Sequence, residues 1–159
     1  MTFKLEFFRV LPVLLFFIAA AYACTERTRG WTIMVAGLVL NGILWLVISL
    51  YMSRNHPALS KRPQKSQCYF WNQKDISIEN GMPSGHCQSA AFFGTWLVLM
   101  AIFYRVPLGV LMLALFISGF IIVGMIYSRV AHYKCHTLPQ AAVGTSIGCI
   151  TALLFYPYL

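Results

Sequence analysis

Acidic side chains are nearly absent from this sequence. Its 159 residues include four, Glu6, Glu26, Asp75 and Glu79, against 12 Lys and Arg, for a formal net charge of +8. Charged residues of both signs make up 10% of the chain and apolar residues 59%. Soluble domains carry about 25% charged and about 45–50% apolar residues. So little charge excludes an ordinary soluble globule, and so much apolar surface excludes a disordered chain. Five cysteines, an odd count in so apolar a chain, exclude a disulfide scaffold. The shortage of carboxylates leaves a two-metal centre or a paired-carboxylate acid–base mechanism poorly supplied. No internal repeat and no low-complexity tract is present.

What the chain does have is long uncharged stretches. Residues 31–52, 89–104, 106–127 and 141–159 contain no Asp, Glu, Lys or Arg. A helix crosses the hydrocarbon core with about 17–25 residues. The shortest stretch, 89–104, reaches that length if its helix starts near Cys87. A fifth candidate is 7–24, where Arg9 near one end can snorkel to the interface. It lacks the small-residue cleavage pattern of a signal peptide and is kept as a helix. The stretches are continuously apolar and do not alternate, which argues against a β-barrel. The expectation is an all-α, polytopic transmembrane helical bundle of about five spans, a single membrane-embedded domain over 1–159.

Five crossings place 1–6, 53–88 and 128–140 on one side of the membrane. The turn at Arg105, residues 25–30 and the C-terminus fall on the other. All four histidines, His56, His86, His132 and His136, lie on the first side. So do Lys4, Arg9, Arg54, Lys61, Arg62, Lys65, Lys74, Arg129 and Lys134, whereas Arg27, Arg29 and Arg105 lie opposite. The positive-inside rule would turn the first side to the cytoplasm. Setting aside the cations of a candidate site (Arg54, Lys61, Arg62 and Arg129) leaves too small a difference to orient the chain. In a chain of spans the basic excess points to headgroups or to a bound phosphate, with no nucleic-acid partner.

Three segments on the histidine side carry chemistry. Lys61-Arg62-Pro63 follows the second span; two adjacent cations there suit either headgroups or a substrate. Gly81-Met82-Pro83-Ser84-Gly85-His86-Cys87-Gln88 leads into the third span. Pro and Ser stand where a helix begins, and Gly85 lets a ligand approach the backbone. A helix start offers free N–H groups and a positive dipole end to an anion. The plainer reading is an N-cap followed by an unrelated histidine. Ser128-Arg129, His136 and Gln140 lie between the fourth and fifth spans. If the fourth helix continues past Tyr127, Arg129 and His136 lie two turns apart on one face. His136 and Gln140 are four apart, so their side chains can meet, and Pro139 starts the last helix. Two arginines can grip phosphoryl oxygens. One histidine can attack phosphorus and a second can protonate the leaving oxygen. Amide groups at a helix start can stabilise the equatorial oxygens.

These segments resemble the type 2 phosphatidic acid phosphatase superfamily of membrane lipid phosphatases. Its three motifs are Lys-x6-Arg-Pro, Pro-Ser-Gly-His and Ser-Arg-x5-His-x3-Asp. The second is present in full as Pro83-Ser84-Gly85-His86, the first as Arg62-Pro63 and the third as Ser128-Arg129 with His136. The wording looks most like the dolichyl or polyprenyl diphosphatase branch, which reads Gly-Met-Pro-Ser-Ser-His-Ser-Gln and Ser-Arg-Val … His-Thr-x-x-Gln. The resemblance covers about residues 50–150. It implies that Arg62, Arg129, Ser84 and the Gly85 backbone bind phosphate. It also implies that His86 is the general acid and that His136 forms a phosphohistidine. No metal or other cofactor is implied; the implied partner is a membrane lipid substrate, a polyprenyl diphosphate or a related lipid phosphate. Members of this branch usually place the site on the lumenal or outer face, in the endoplasmic reticulum, plasma or inner membrane.

The chain departs from the pattern in four places. The motif lysine falls on Asn55, so Arg54 and Lys61 are the candidate replacements, with Arg54 slightly preferred. Counted from Arg129 the nucleophile falls on Cys135; His136 is assigned because His-Thr-x-x-Gln follows it, with His132 as fallback. Gln140 stands where an acid usually orients the nucleophile, and an amide can fix a tautomer without stabilising an imidazolium. One span common in the family is missing before the first motif. Two other readings remain: a catalytically silent lipid-phosphate-binding protein of the same fold, and a Cys/His metal site built from His86-Cys87, His132 and Cys135-His136. Elsewhere, Asn41 is expected to make a helix–helix hydrogen bond within the bilayer. Tyr156-Pro157-Tyr158 suits an interfacial helix end, and Cys24 and Cys149 are expected to be buried thiols.

Overall fold

The computed structural model describes residues 3–26, 29–63 and 80–159; Arg27, Lys65, Cys68, Lys74, Asp75 and Glu79 lie outside them. The described residues are predominantly helical. In chain order the helices are α1 (Phe3–Glu26), α2 (Arg29–Asn55), the single turn α3 (Pro57–Ser60), α4 (Gly85–Phe103), α5 (Leu108–Tyr127) and α6 (Leu138–Phe155). A π-helical turn, Ser128–His132, extends α5, and a 3-10 turn, Tyr156–Tyr158, follows α6. Four segments are long and apolar enough to cross a membrane: Arg29–Asn55, Gly85–Phe103, Leu108–His132 and Leu138–Tyr158. The expected fifth span is helical as α1, whose described apolar stretch is Val10–Cys24.

The centre of the bundle is the contact between α4 and α6, where backbones meet with almost no side chain between them. A Cβ placed on Gly148 would collide with the Gln88 carbonyl oxygen and lie 2.9 Å from the Phe92 nitrogen. One placed on Gly144 would lie 2.5 Å from the Ser84 carbonyl oxygen. With Ala141 and Ala152, both fully buried, these glycines make a small-residue stripe along α6. Lipid tails are as apolar as leucine, so such close packing and interhelical hydrogen bonds hold spans together.

α2 packs against α4 and also touches α6. The Phe92 ring lies over Gly37, and Trp96 donates to the Gly30 carbonyl at 3.3 Å. The expected bond of Asn41 is present: Gln88 Nε2 donates to its side-chain and backbone oxygens, both at 2.9 Å. On the α5 side Ser118 donates to the Gly94 carbonyl at 2.8 Å. α5 turns large apolar side chains outward, Phe116 being 72% exposed, as a lipid-facing surface requires. Two cysteine expectations are corrected: Cys24 is exposed at the end of α1, and Cys149, which accepts from Thr95 of α4 at 3.3 Å, is only partly covered.

Filling that seam should be costly. Gly148→Val must push α6 off the α4 backbone, and overpacking of this kind costs about 1–3 kcal/mol or more. Gly109 is the control, since a Cβ added there would meet nothing within 4 Å. Thermal unfolding in detergent should show a clear fall for Gly148→Val and none for Gly109→Ala.

Candidate functional site

Each of the three chemistry-bearing segments sits at the same end of the bundle, and hydrogen bonds tie them to one another. The first begins where α2 stops. His56 N–H still bonds to the Met52 carbonyl, Pro57 starts the turn α3, and Lys61 leaves in extended conformation. Lys61 and Asn80 form an antiparallel bridge. Gly81 N–H donates to the Ser60 carbonyl, and Ser60 Oγ to Asn80 Oδ1 at 3.3 Å. Arg62 Nε donates to the Asn80 carbonyl at 3.0 Å, which fixes the plane of the guanidinium. The chain that leaves at Pro63 therefore returns beside its own point of departure.

The second segment enters α4 through a cis Met82–Pro83 peptide. Ser84 is the N-cap residue, but its hydroxyl does not cap the helix. It is fully buried beside the Cys87 thiol, with which it forms a side-chain hydrogen bond. Ser84 N–H donates to the Gln140 carbonyl at 3.2 Å, and Trp45 Nε1 of α2 donates to the Pro83 carbonyl at 3.0 Å. His86 stands half-buried in the first turn of α4.

The third segment differs from a simple extension of α5. The helix widens into the π-turn Ser128–His132 and stops, and Lys134 takes a left-handed conformation with φ 51°. The Arg129 carbonyl then accepts from both Cys135 N–H, at 2.9 Å, and His136 N–H, at 3.2 Å. Arg129 and His136 are thus joined through a fold-back loop, not by two turns of one helix. A wide turn and a left-handed residue are how the chain accommodates its extra residue between them. Arg129 is 1% exposed, with its guanidinium carbon 5.7 Å from the centroid of the Tyr133 ring. The Ser128 hydroxyl, also buried, has no partner among the described residues.

His136 is 4% exposed, and its Nδ1 lies 2.8 Å from the Gly81 carbonyl oxygen. A carbonyl only accepts, so Nδ1 carries the proton and Nε2 keeps its lone pair. Burial pushes the His136 pKa down from 6.5 to about 3, and Arg62 and then Arg129 add to the effect. The Gly81 carbonyl and the Gln140 side chain oppose it. The imidazole is neutral at physiological pH. No sequence signal could have named Gly81, because the group that orients the ring belongs to the backbone.

Gln140 braces the site. Its Nε2 donates to the carbonyls of Leu59, at 2.8 Å, and Lys61, at 3.1 Å. Its Oε1 accepts from Thr137 N–H at 3.1 Å, and its own N–H reaches Thr137 Oγ, completing a capping box at the start of α6. A carboxylate cannot donate to two carbonyls, so an amide is what this position requires.

The structure thus brings together Arg62, Gly81, Ser84, Gly85, Arg129, His136 and Gln140. Arg54 is exposed at the end of α2, and Lys61 turns its side chain to the exterior while its carbonyl serves Gln140. His132 is exposed, its ring edge-on to Tyr133. Among the described residues no three His, Cys, Asp or Glu side chains gather as a metal site. Cys135 is disulfide-bonded and so has no thiolate to offer a metal. Two guanidiniums, two buried hydroxyls, a helix start and a neutral imidazole make a site suited to a tetrahedral oxyanion beside a nucleophile.

Residues 30–159 match the PAP2 superfamily. The chain therefore belongs to that superfamily. It is 30% identical over 125 residues to lipid phosphate phosphatase epsilon 2, chloroplastic, of Arabidopsis thaliana, covering 77% of this chain and 37% of that protein. It is 28% identical over 124 residues to lipid phosphate phosphatase epsilon 1, chloroplastic, of the same plant, covering 77% of this chain and 38% of that protein. The chain thus spans less than two fifths of the length of these curated relatives. No solved structure matches it.

Two outcomes follow for stability. Below pH 6.5 the unfolded chain protonates His136 while the folded chain resists until about pH 3, so the unfolded state binds more protons and stability falls as pH drops through that window. Thermal unfolding against pH should show a shallower slope there for His136→Gln than for the unaltered chain. Gln140→Glu should lower the unfolding temperature near neutral pH, since it sets a carboxylate against two carbonyls; losing such bonds costs about 1–3 kcal/mol.

Proposed function

We propose that this PAP2-superfamily chain is an integral-membrane lipid phosphatase acting on a polyprenyl (dolichyl) diphosphate or a related lipid phosphate through a phosphohistidine. The observation that carries the proposal is the state of His136: buried, neutral, with Nδ1 bonded to Gly81 and Nε2 left as a lone pair beside Arg62 and Arg129. In this reading the two guanidiniums, the Ser84 hydroxyl and the backbone at Gly85 hold the phosphoryl oxygens. His136 Nε2 attacks phosphorus, the P–O bond to the lipid or lipid phosphate breaks, and His86 supplies the proton to the leaving oxygen. Water then attacks phosphorus while His86 takes its proton; an O–P bond forms and the N–P bond breaks, which releases phosphate and restores both histidines. No step in this scheme draws on a metal. Lys61 and Arg54, both exposed, are the cations available for outer oxygens in place of the motif lysine.

The polyprenyl preference rests on Gly81-Met82 before the second motif, Gln88 after it, and His136-Thr137 … Gln140 in the third. The printed names of the two plant relatives say lipid phosphate phosphatase and no more about substrate. The lipid tail would remain among the apolar helices while its headgroup reaches the site at the interface.

Purified protein in detergent should release phosphate from a polyprenyl diphosphate in the presence of a chelator, faster than from phosphatidate. His136→Ala should abolish release, and His86→Ala should slow it about 10²–10⁴-fold. Near-native turnover in His136→Ala would overturn the nucleophile, and lipid binding without turnover would favour a silent member of the fold.

A further inference from the structure

α2 carries none of the three motifs, yet it contacts the second of them at two successive turns. Asn41 receives two bonds from Gln88, and one turn further Trp45 donates to the Pro83 carbonyl. From these contacts we infer that Trp45 is a positioning residue for the phosphate-binding start of α4. This inference rests on the phosphatase reading for its kinetic consequences only.

The physical argument concerns one peptide plane. The C=O of Pro83 and the N–H of Ser84 belong to the same rigid amide and point in opposite directions. Trp45 of α2 holds the carbonyl end at 3.0 Å, and the Gln140 carbonyl of α6 holds the N–H end at 3.2 Å. A plane gripped at both ends cannot rotate, and its orientation sets the direction of the Ser84 side chain and of the amides that follow. The bond also keeps the Pro83 carbonyl, a partial negative charge, turned toward α2 and away from a bound anion. The indole supports the next residue as well. A Cβ on Gly85 would lie 3.0 Å from Trp45 Nε1 and 3.1 Å from Cε2, so the ring lies close against the Gly85 backbone. The Ser84 hydroxyl, buried beside the Cys87 thiol, is the group whose aim this arrangement secures.

Donors aimed at developing charge act chiefly in the transition state, so misaiming them lowers kcat more than it raises KM. Trp45→Phe keeps an aromatic ring and removes the N–H. The variant should unfold within a few degrees of the unaltered chain, keep KM within about two-fold, and lose about 10-fold in kcat, the scale of one hydrogen bond. Inhibition by orthovanadate, which takes the five-coordinate shape of the transition state, should weaken by a similar factor. Amide hydrogen exchange at Ser84–Gln88 should quicken with exchange elsewhere unchanged, and this readout needs no turnover. Unchanged exchange at Ser84–Gln88 overturns the inference, as does a kcat loss matched by a general loss of folded protein. If the unaltered chain hydrolyses no lipid phosphate while exchange quickens in the variant, the positioning role stands and the phosphatase reading falls.

Discussion

Where α4 and α6 touch, Gly144 and Gly148 leave nothing between the two backbones, and the site is assembled on that closeness. It lets Ser84 N–H reach the Gln140 carbonyl, so the start of one span is bonded to the start of another. Both residues are buried, so the bond satisfies an amide and a carbonyl that would otherwise lack a partner. From this joint the rest radiates: Gln140 reaches across to Leu59 and Lys61, and His136 to Gly81.

Electrostatics and packing act together at His136. Two guanidiniums and burial all disfavour an imidazolium, and what counters them is a pair of neutral dipoles, the Gly81 carbonyl and the Gln140 amide. A carboxylate in that position would raise the imidazole's basicity. Here the protein orients the ring without adding charge. The same choice of an amide supplies the donors that hold the chain leading to Arg62, which ties the placement of Arg62 to the placement of His136.

α2 gives the assembly a third wall. It lies outside the motifs, touches both α4 and α6, and its polar contacts, Asn41 with Gln88 and Trp45 with Pro83, hold α4 along a second face. The first turn of α4 is therefore bounded by the backbone of α6 and by the Trp45 ring of α2. A pocket for an anion then depends on where the surrounding spans stand as much as on the residues that face it.

The uncharged stretches, the side shared by every histidine, and three motif segments at span edges were legible in the sequence, since hydropathy and residue type are local properties. The hydrogen bond of Asn41 was legible for the same reason, a polar group in a span needing a partner. The exposure of Cys24 and the fold-back from Arg129 to His136 were not, because facing and loop path depend on what each helix packs against. Composition and pattern by themselves determined that this chain forms membrane-length helices with cations and imidazoles at one end. Only the tertiary structure decided which carbonyl orients His136, which residues Gln140 braces and which span steadies Pro83, because a backbone oxygen has no letter in a sequence and acquires a role only when folding brings a donor to it.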